Sequence, residues 1–567
     1  MKKESLVGCK TDQNLAMECS ANNSVENLDA EEVMRAFGKY GKYQASFLKM
    51  IAHFLINLTA FFHSAEVLVM SFIAVAPDFA CHIEQSSVSV ESKYIELNKC
   101  TMVDQNNQSY ACKDIPNATY SFNESTRYST LNSEFDLVCR DEHWAQHASS
   151  IYMFGGMIVT PFLTQLSDLY GRKYTFLVPL WLSVAANLAC AVAPTYGLFL
   201  FFRLLAGTGM TGSATIGWVL CCESVAIGFR SLIPFVVTFT WVLGIMMVGV
   251  LRMWFKSWRL LYFAISIPGL ITIFYYWWIP ESLHWMVNQK KHAQIQKYIK
   301  KASKINNVQI SLANCKANAN GSTEKTTRTL LDMIRNKQIL YHLTVHCFLT
   351  FNQVSSRLYF RIVMNIAYWG LALLSTQLSE DSYTGYFLSG FCEIPAGLLA
   401  VALMVKFGRR TITFWSLFLQ GASMGLAILY PGPGKIEMIF PIAAKLFNSI
   451  TWASQPILLA EMSPTSIRNT FYGVVQFFGE SGSVLAPYLG LLAEINPVAP
   501  QTAIAVLSVI SAILSLTSPE TKDKPMPEDF DQFDPGFLFS HKKKQRAVKD
   551  ARSETKLQKE KEVSNLQ

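Results

Sequence analysis

Five ionisable residues stand inside long apolar runs of this chain: Glu66, Glu223, Glu393, Lys445 and Glu480. A charge in a hydrocarbon setting costs several kcal/mol, so such residues face a cavity, a partner or a pathway. Four of the five are carboxylates, the group that pairs with an ammonium ion when water is scarce. Glu480 is the sharpest candidate. The competing reading is that it hydrogen-bonds a neighbouring helix in company with Ser481 and Ser483. Glu393 is either a second acid for a cation or a partner for Lys445 that only shapes a cavity. Aromatic faces attract organic cations by about 0.5–2 kcal/mol each. Tyr368-Trp369-Gly370, and Trp218 about a turn before Glu223, supply such faces. Trp241 and Trp452 are weaker candidates, because an aromatic in an apolar helix is more often packing or an interfacial anchor.

A second kind of chemistry lies in two related turns. Asp168-Leu169-Tyr170-Gly171-Arg172-Lys173 is echoed far downstream by Val405-Lys406-Phe407-Gly408-Arg409-Arg410, each copy lying between two apolar runs. Gly171 and Gly408 permit a turn that side chains obstruct. Arg172, Lys173, Arg409 and Arg410 can pair with acids at neighbouring helix ends, such as Glu223 and Glu461. Each of those acids precedes an arginine, Arg230 or Arg468, by seven positions. The competing reading is snorkelling of basic residues to anionic headgroups. The second copy has Val405 where the first has Asp168, so its pairing is expected to be weaker. Duplicated helical halves are the architecture of secondary carriers.

The elements that must position these groups follow from hydropathy. The chain has 567 residues, 51% hydrophobic and only 16% charged, well below the quarter or so of a soluble domain. Twelve apolar stretches approach the ~20 residues that a bilayer needs: 47–76, 147–167, 174–194, 196–222, 231–253, 259–280, 358–376, 384–404, 411–430, 438–460, 469–493 and 499–518. The expected fold class is therefore an all-α membrane protein of twelve helices in two six-helix halves. The expected organisation is 1–46 cytosolic, 47–280 the first half, 281–337 a cytosolic middle loop, 338–518 the second half and 519–567 a cytosolic tail. Segment 77–146 forms a large outer loop. No signal peptide opens the chain, so the first apolar helix is expected to direct insertion.

Charge asymmetry sets the orientation. The net charge of +8 points away from nucleic acid, because the basic residues collect in the middle loop (Lys290, Lys291, Lys297, Lys300, Lys301, Lys304) and in the tail. Acids outnumber bases in 77–146, which places that segment outside. Arg252, Lys256 and Arg259 break the rule in a short outer loop. Segment 77–146 also carries sequons at Asn107, Asn117 and Asn123, an acceptor pattern of secretory compartments. Its Cys81, Cys100, Cys112 and Cys139 imply two disulfides in any of three pairings. Residues 340–355 look like an additional segment, interfacial or foreign to the pattern. Neither metal-ligand spacing, nor a phosphate-binding glycine loop, nor a nucleophile–base arrangement is evident, so neither a cofactor nor enzymatic activity is expected.

Together these motifs resemble the organic cation transporter family, solute carrier family 22, of the major facilitator superfamily. The resemblance runs from about Leu48 to Pro527. Thr164–Lys173 is similar to the loop motif between helices 2 and 3, with Thr164 and Leu169 replacing the usual glycine and arginine. Arg203-Leu204-Leu205-Ala206-Gly207 resembles the helix-4 motif. Pro280-Glu281-Ser282-Leu283-His284-Trp285, Glu393-Ile394-Pro395-Ala396, Ala460–Asn469 and Pro519-Glu520-Thr521-Lys522 resemble later motifs. The family implies a plasma-membrane carrier of small organic cations working by alternating access, with the substrate and the lipid bilayer as its partners. In cation-transporting members the position matching Glu480 resembles an acid. A carnitine-like zwitterion or organic anion carrier is the alternative. A non-transporting receptor on the same fold is the alternative from another class. The sequence leaves the oligomeric state open.

Overall fold

The computed structural model describes residues 47–75, 78–83, 94–104, 108–115, 118–122, 129–141, 143–224, 233–306, 362–373, 381–430, 435–462, 468–496, 498–516 and 520–522. The chain divides between residues 329 and 330 into two compact units.

The first unit contains α1 (Phe47–Leu68), α2 (His143–Tyr170), α3 (Arg172–Val192), α4 (Tyr196–Glu223), α5 (Ile233–Trp254) and α6 (Trp258–Ser266). α6 passes through a tighter 3₁₀ stretch, Ile267–Phe274, into the helical turn Tyr275–Trp278. Small residues let these helices approach closely, as packing between membrane helices requires. A Cβ on Gly207 of α4 would strike the Tyr152 carbonyl of α2. Ser64 and Thr240 tie α1 to α5, donating to the carbonyls of Trp241 (2.8 Å) and Asn57 (3.1 Å).

Many large apolar side chains point outward, among them Phe162 (64% exposed), Val178 (60%) and Trp277 (62%). Apolar surface on this scale is foreign to a soluble monomer and suits lipid. Among the described residues, seven helices are long and apolar enough to cross a bilayer; Ile362–Leu373 and Ala499–Ser515 are apolar but shorter.

The segment between α1 and α2 is built of strands. β1 (Phe79–Ile83) pairs antiparallel with β5 (Ala118–Phe122). β2 (Tyr94–Asn98), β3 (Thr101–Asp104) and β4 (Ser109–Ala111) form a second antiparallel sheet. Disulfides Cys81–Cys112 and Cys100–Cys139 choose one of the three pairings, and the first is buried with Met102 and Ile115. A capping box of Thr130 and Ser133 starts a one-turn helix that ends at Glu134. Glu134 partners Arg259, one of the basic residues that break the charge rule. Arg259 donates to its carboxylate from Nη2 at 2.5 Å and from Nε at 2.8 Å. The same guanidinium fills the open carbonyls of Ala191 and Ala193 at the end of α3, at 2.9 and 2.7 Å. Arg252 donates to the carbonyls of Lys256 and Ser129. Arg259 and Arg252 are thus held by contacts with the segment between α1 and α2.

The second unit contains α7 (Ile362–Leu373) and α8, which runs as Ser382–Phe391 and, past Cys392, as Glu393–Phe407. α9 (Arg409–Leu429), α10 (Lys435–Met462), α11 (Arg468–Leu485) and α12 (Ala499–Ser515) follow. Asp381 caps α8 through the backbone N–H groups of Tyr383 and Thr384. The Thr384 hydroxyl bond, then those two N–H groups, hold its carboxyl below the usual range. A buried polar ladder joins α9, α10 and α12: Gln420 donates to Ser508 (2.8 Å), Asn448 to Gln420 (3.0 Å), and Ser416 bonds Thr451 (2.8 Å). Each of the twelve stretches expected from hydropathy contains helix among the described residues.

Candidate substrate site and turn networks

The first turn is folded around glycine. Gly171 has φ +105° and ψ 159°, a region essentially closed to side-chain-bearing residues. A Cβ there would also meet Glu281 Oε2 at 2.5 Å. That carboxylate closes the N-terminus of α3, accepting from the backbone N–H of Arg172 (2.9 Å) and Lys173 (3.1 Å). Carboxylates are favoured where a helix exposes unpaired N–H groups. The Arg172 side chain, 8% exposed, donates to Asp168 at 2.6 Å and to Glu223 at 3.2 Å. Ser282 adds a 2.6 Å bond to Glu223, and Trp285 Nε1 donates to the Asp168 carbonyl at 2.9 Å. Asp168, Gly171, Arg172, Lys173 and Glu223 are thus brought together. Arg230 lies outside the described residues.

The second turn repeats the backbone half of this design. Gly408 has φ +90° and ψ 162°, and Glu520 closes α9 through the N–H groups of Arg409 (2.9 Å), Arg410 (3.4 Å) and Thr411 (3.4 Å). Burial pushes the Glu520 carboxyl up, but the N–H groups of Arg409, Lys522, Arg410 and Thr411 prevail and hold it below the usual range. The side chains of Glu461 and Arg468 lie outside the described residues. Glu281 and Glu520 were missed as helix caps. The signal was present in Pro280-Glu281-Ser282 and Pro519-Glu520-Thr521, two similar triplets at nearly the same chain distance from their glycines.

Side-chain removal tests the first turn. Arg172→Ala strips Asp168 and Glu223 of their cation, and Gly171→Ala adds backbone strain of about 1–3 kcal/mol. Both variants are expected to reach the surface and to turn over several-fold more slowly; uptake normalised to surface protein is the measurement. Wild-type rates in both would remove the network from the transport cycle.

The second unit gathers the aromatic and charged candidates. The Tyr368 hydroxyl donates to Glu393 at 3.1 Å. The Tyr368 ring meets Trp369 and Trp452 edge-on, with centroids 5.1 and 5.4 Å away. Lys445 Nζ stands 3.2 Å from Glu393 Oε1 and donates to Ser389 at 2.7 Å. Both members of that pair are almost wholly buried, so the Glu393 charge is already balanced. Glu480 is 8% exposed on α11. That helix packs directly on α7: a Cβ on Gly482 would strike the Ile362 carbonyl, and Ser483 donates to Asn365 at 2.9 Å. α7 is the helix that carries Tyr368.

In the first unit Trp218 is half-buried on α4. A separate polar network fills the core of this unit. Glu66 accepts from Tyr152 and Ser183, each at 3.2 Å. Arg203 donates to the Glu66 carbonyl (2.9 Å) and to Tyr262 (3.1 Å), and its guanidinium lies 4.4 Å from the Tyr152 ring centre. The sequence marked Glu66 as an intramembrane charge and Arg203 only as part of a motif. The signal that joins them is that Arg203 is a fully buried cation in an apolar run, which demands acceptors.

The fold and these networks define a membrane transporter. Residues 94–528 match the model of the sugar (and other) transporter family, and the chain belongs to that family. It is 26% identical to the organic cation transporter protein of Drosophila melanogaster, over 88% of this chain and 93% of that protein. It is 28% identical to solute carrier family 22 member 2 of Rattus norvegicus, over 75% of each. Among solved structures, the partially occluded inward-open xylose transporter XylE of E. coli shares the fold, with a TM-score of 0.56 at 13% identity, covering 85% of this chain and all of that one. The chain is a multi-pass membrane transporter, not an enzyme.

Proposed function

We propose that this transporter carries small organic cations across the plasma membrane by alternating access. The observation that carries the reading is Glu480, the single carboxylate of α11, 8% exposed on a helix that packs on the one bearing Tyr368. Relatives named as organic cation transporters support it. Tyr368, Trp369 and Trp452 supply aromatic faces. Glu393, matched by Lys445, shapes the site. As a uniporter it would need no coupling ion: each positive charge gains about 2.3 kcal/mol per 100 mV of inside-negative potential. Uptake of tetraethylammonium, carnitine and urate in the same expressing cells tests the assignment. Tetraethylammonium alone is expected to accumulate above control. Lys445 beside Glu393 favours one second reading, a carnitine-like zwitterion that uses both charges; carnitine uptake without tetraethylammonium uptake would select it.

The proposed topology places both termini and 281–337 in the cytosol and 77–146 outside, with the halves 47–280 and 338–518 in the membrane. The disulfides Cys81–Cys112 and Cys100–Cys139 support an oxidising side for that segment. Asn107, Asn117 and Asn123, themselves outside the described residues, are the proposed glycan carriers. Replacing all three with Gln is expected to abolish the glycosidase-sensitive mobility shift; a surviving shift would reverse the orientation.

A further inference from the structure

The amphipathic helix His292–Asn306 carries a charge pattern that the substrate site described above does not include. Ile295 and Ile299 are buried against the first unit, at 1% and 7% exposure. Lys297, Lys300 and Lys301 are exposed and, by the 3.6-residue period, lie on the opposite side. Lys304 continues the same i, i+3, i+4, i+7 spacing in the sequence. Exposed Lys290 and Lys291 lead into the helix. Between Ser282 and Thr323 the sequence contains no Asp or Glu, so the segment has no acid of its own to balance these cations. Such a face attracts a polyanion.

The neighbouring surface says which polyanion. Lys301 is within electrostatic reach of Lys173, and Lys173 Nζ stands 4.8 Å from the centre of the Tyr276 ring. Tyr276, Trp277 and Trp278 are exposed at 40%, 62% and 46%, at the end of α6. Exposed Trp and Tyr at the end of an apolar helix mark the headgroup level of a bilayer. The lysine face therefore continues, through Lys173, into the membrane–water boundary. Clusters of basic residues at that level on the cytosolic side recognise anionic lipid headgroups.

We infer that Lys297, Lys300 and Lys301, with Lys173 at their edge, form a docking surface for a polyanionic phospholipid headgroup of the inner leaflet, of the phosphoinositide class. The inference rests on the cytosolic placement of 281–337, and its test uses neither substrate nor orientation, so it fails or stands apart from the cation reading. The full-length protein is purified in detergent, and binding of dioctanoyl phosphatidylinositol 4,5-bisphosphate is measured by thermophoresis against dioctanoyl phosphatidylcholine. Wild type is expected to bind the phosphoinositide and not the phosphatidylcholine. The variant K297Q/K300Q/K301Q is expected to bind at least tenfold more weakly with an unchanged unfolding temperature, since all three side chains are exposed. Equal affinity in the variant, or no phosphoinositide binding in wild type, overturns the inference. A hexaglutamate peptide that binds more tightly than the phosphoinositide overturns it in favour of an acidic polypeptide partner.

Discussion

Replacing Glu480 with Gln is expected to weaken organic cation transport by well over tenfold, read as a rise in the half-saturating concentration. The substitution keeps the size of the side chain and removes its charge. A desolvated charge pair lost on one side typically costs 2–5 kcal/mol, and Glu480 at 8% exposure is shielded from bulk water. Glu480→Arg goes further: it reverses the local field and is expected to abolish cation uptake at normal surface density. Surface biotinylation separates this from misfolding. Unchanged cation affinity in the Gln variant would move the zwitterion reading ahead.

The second large effect concerns stability. Lys445→Met removes the cation that faces Glu393 at 3.2 Å and leaves a carboxylate buried at 3% exposure. Breaking a buried pair from one side costs about 3–5 kcal/mol, whereas replacing both members is often near neutral. Lys445→Met alone is therefore expected to lose most of its surface protein. The double variant Lys445→Met/Glu393→Gln is expected to recover it, with Tyr368 still bonded to the amide. Thermal unfolding of the detergent-purified proteins orders the three. A double variant as unstable as the single one would show that the pair is not the coupled unit described here.

How much of this was legible beforehand divides along physical lines. Each of the twelve apolar stretches contains helix among the described residues, because a bilayer enforces length and polarity on each segment. The Asp168–Arg172–Glu223 cluster was readable because its charges lie beside a glycine turn that repeats. The caps Glu281 and Glu520 were not read, although their Pro-Glu triplets repeat, because a carboxylate bonded to backbone N–H groups has no partner side chain to point to it. The bond from Arg203 to the Glu66 carbonyl was hidden for the same reason. The disulfide pairing needed the strand register, since β1 and β5 bring Cys81 toward Cys112 across a separation of 31 residues. Arg259 looked like a violation of the charge rule because its partner, Glu134, is distant in sequence and near in space.

Arg259 also decides what the segment between α1 and α2 reports. One guanidinium grips Glu134 of that segment and the last carbonyls of α3 together, while Trp258 Nε1 holds the same carboxylate at 2.6 Å. The bridge Cys100–Cys139 fixes the neighbouring strand sheet to this anchored end. A fluorophore or antibody fragment attached to the strands is therefore coupled to the helices of the first unit rather than hanging from a slack tether. Its tilt and polarisation follow that unit, which makes the strand segment a natural handle for watching one half of the carrier in single-molecule work.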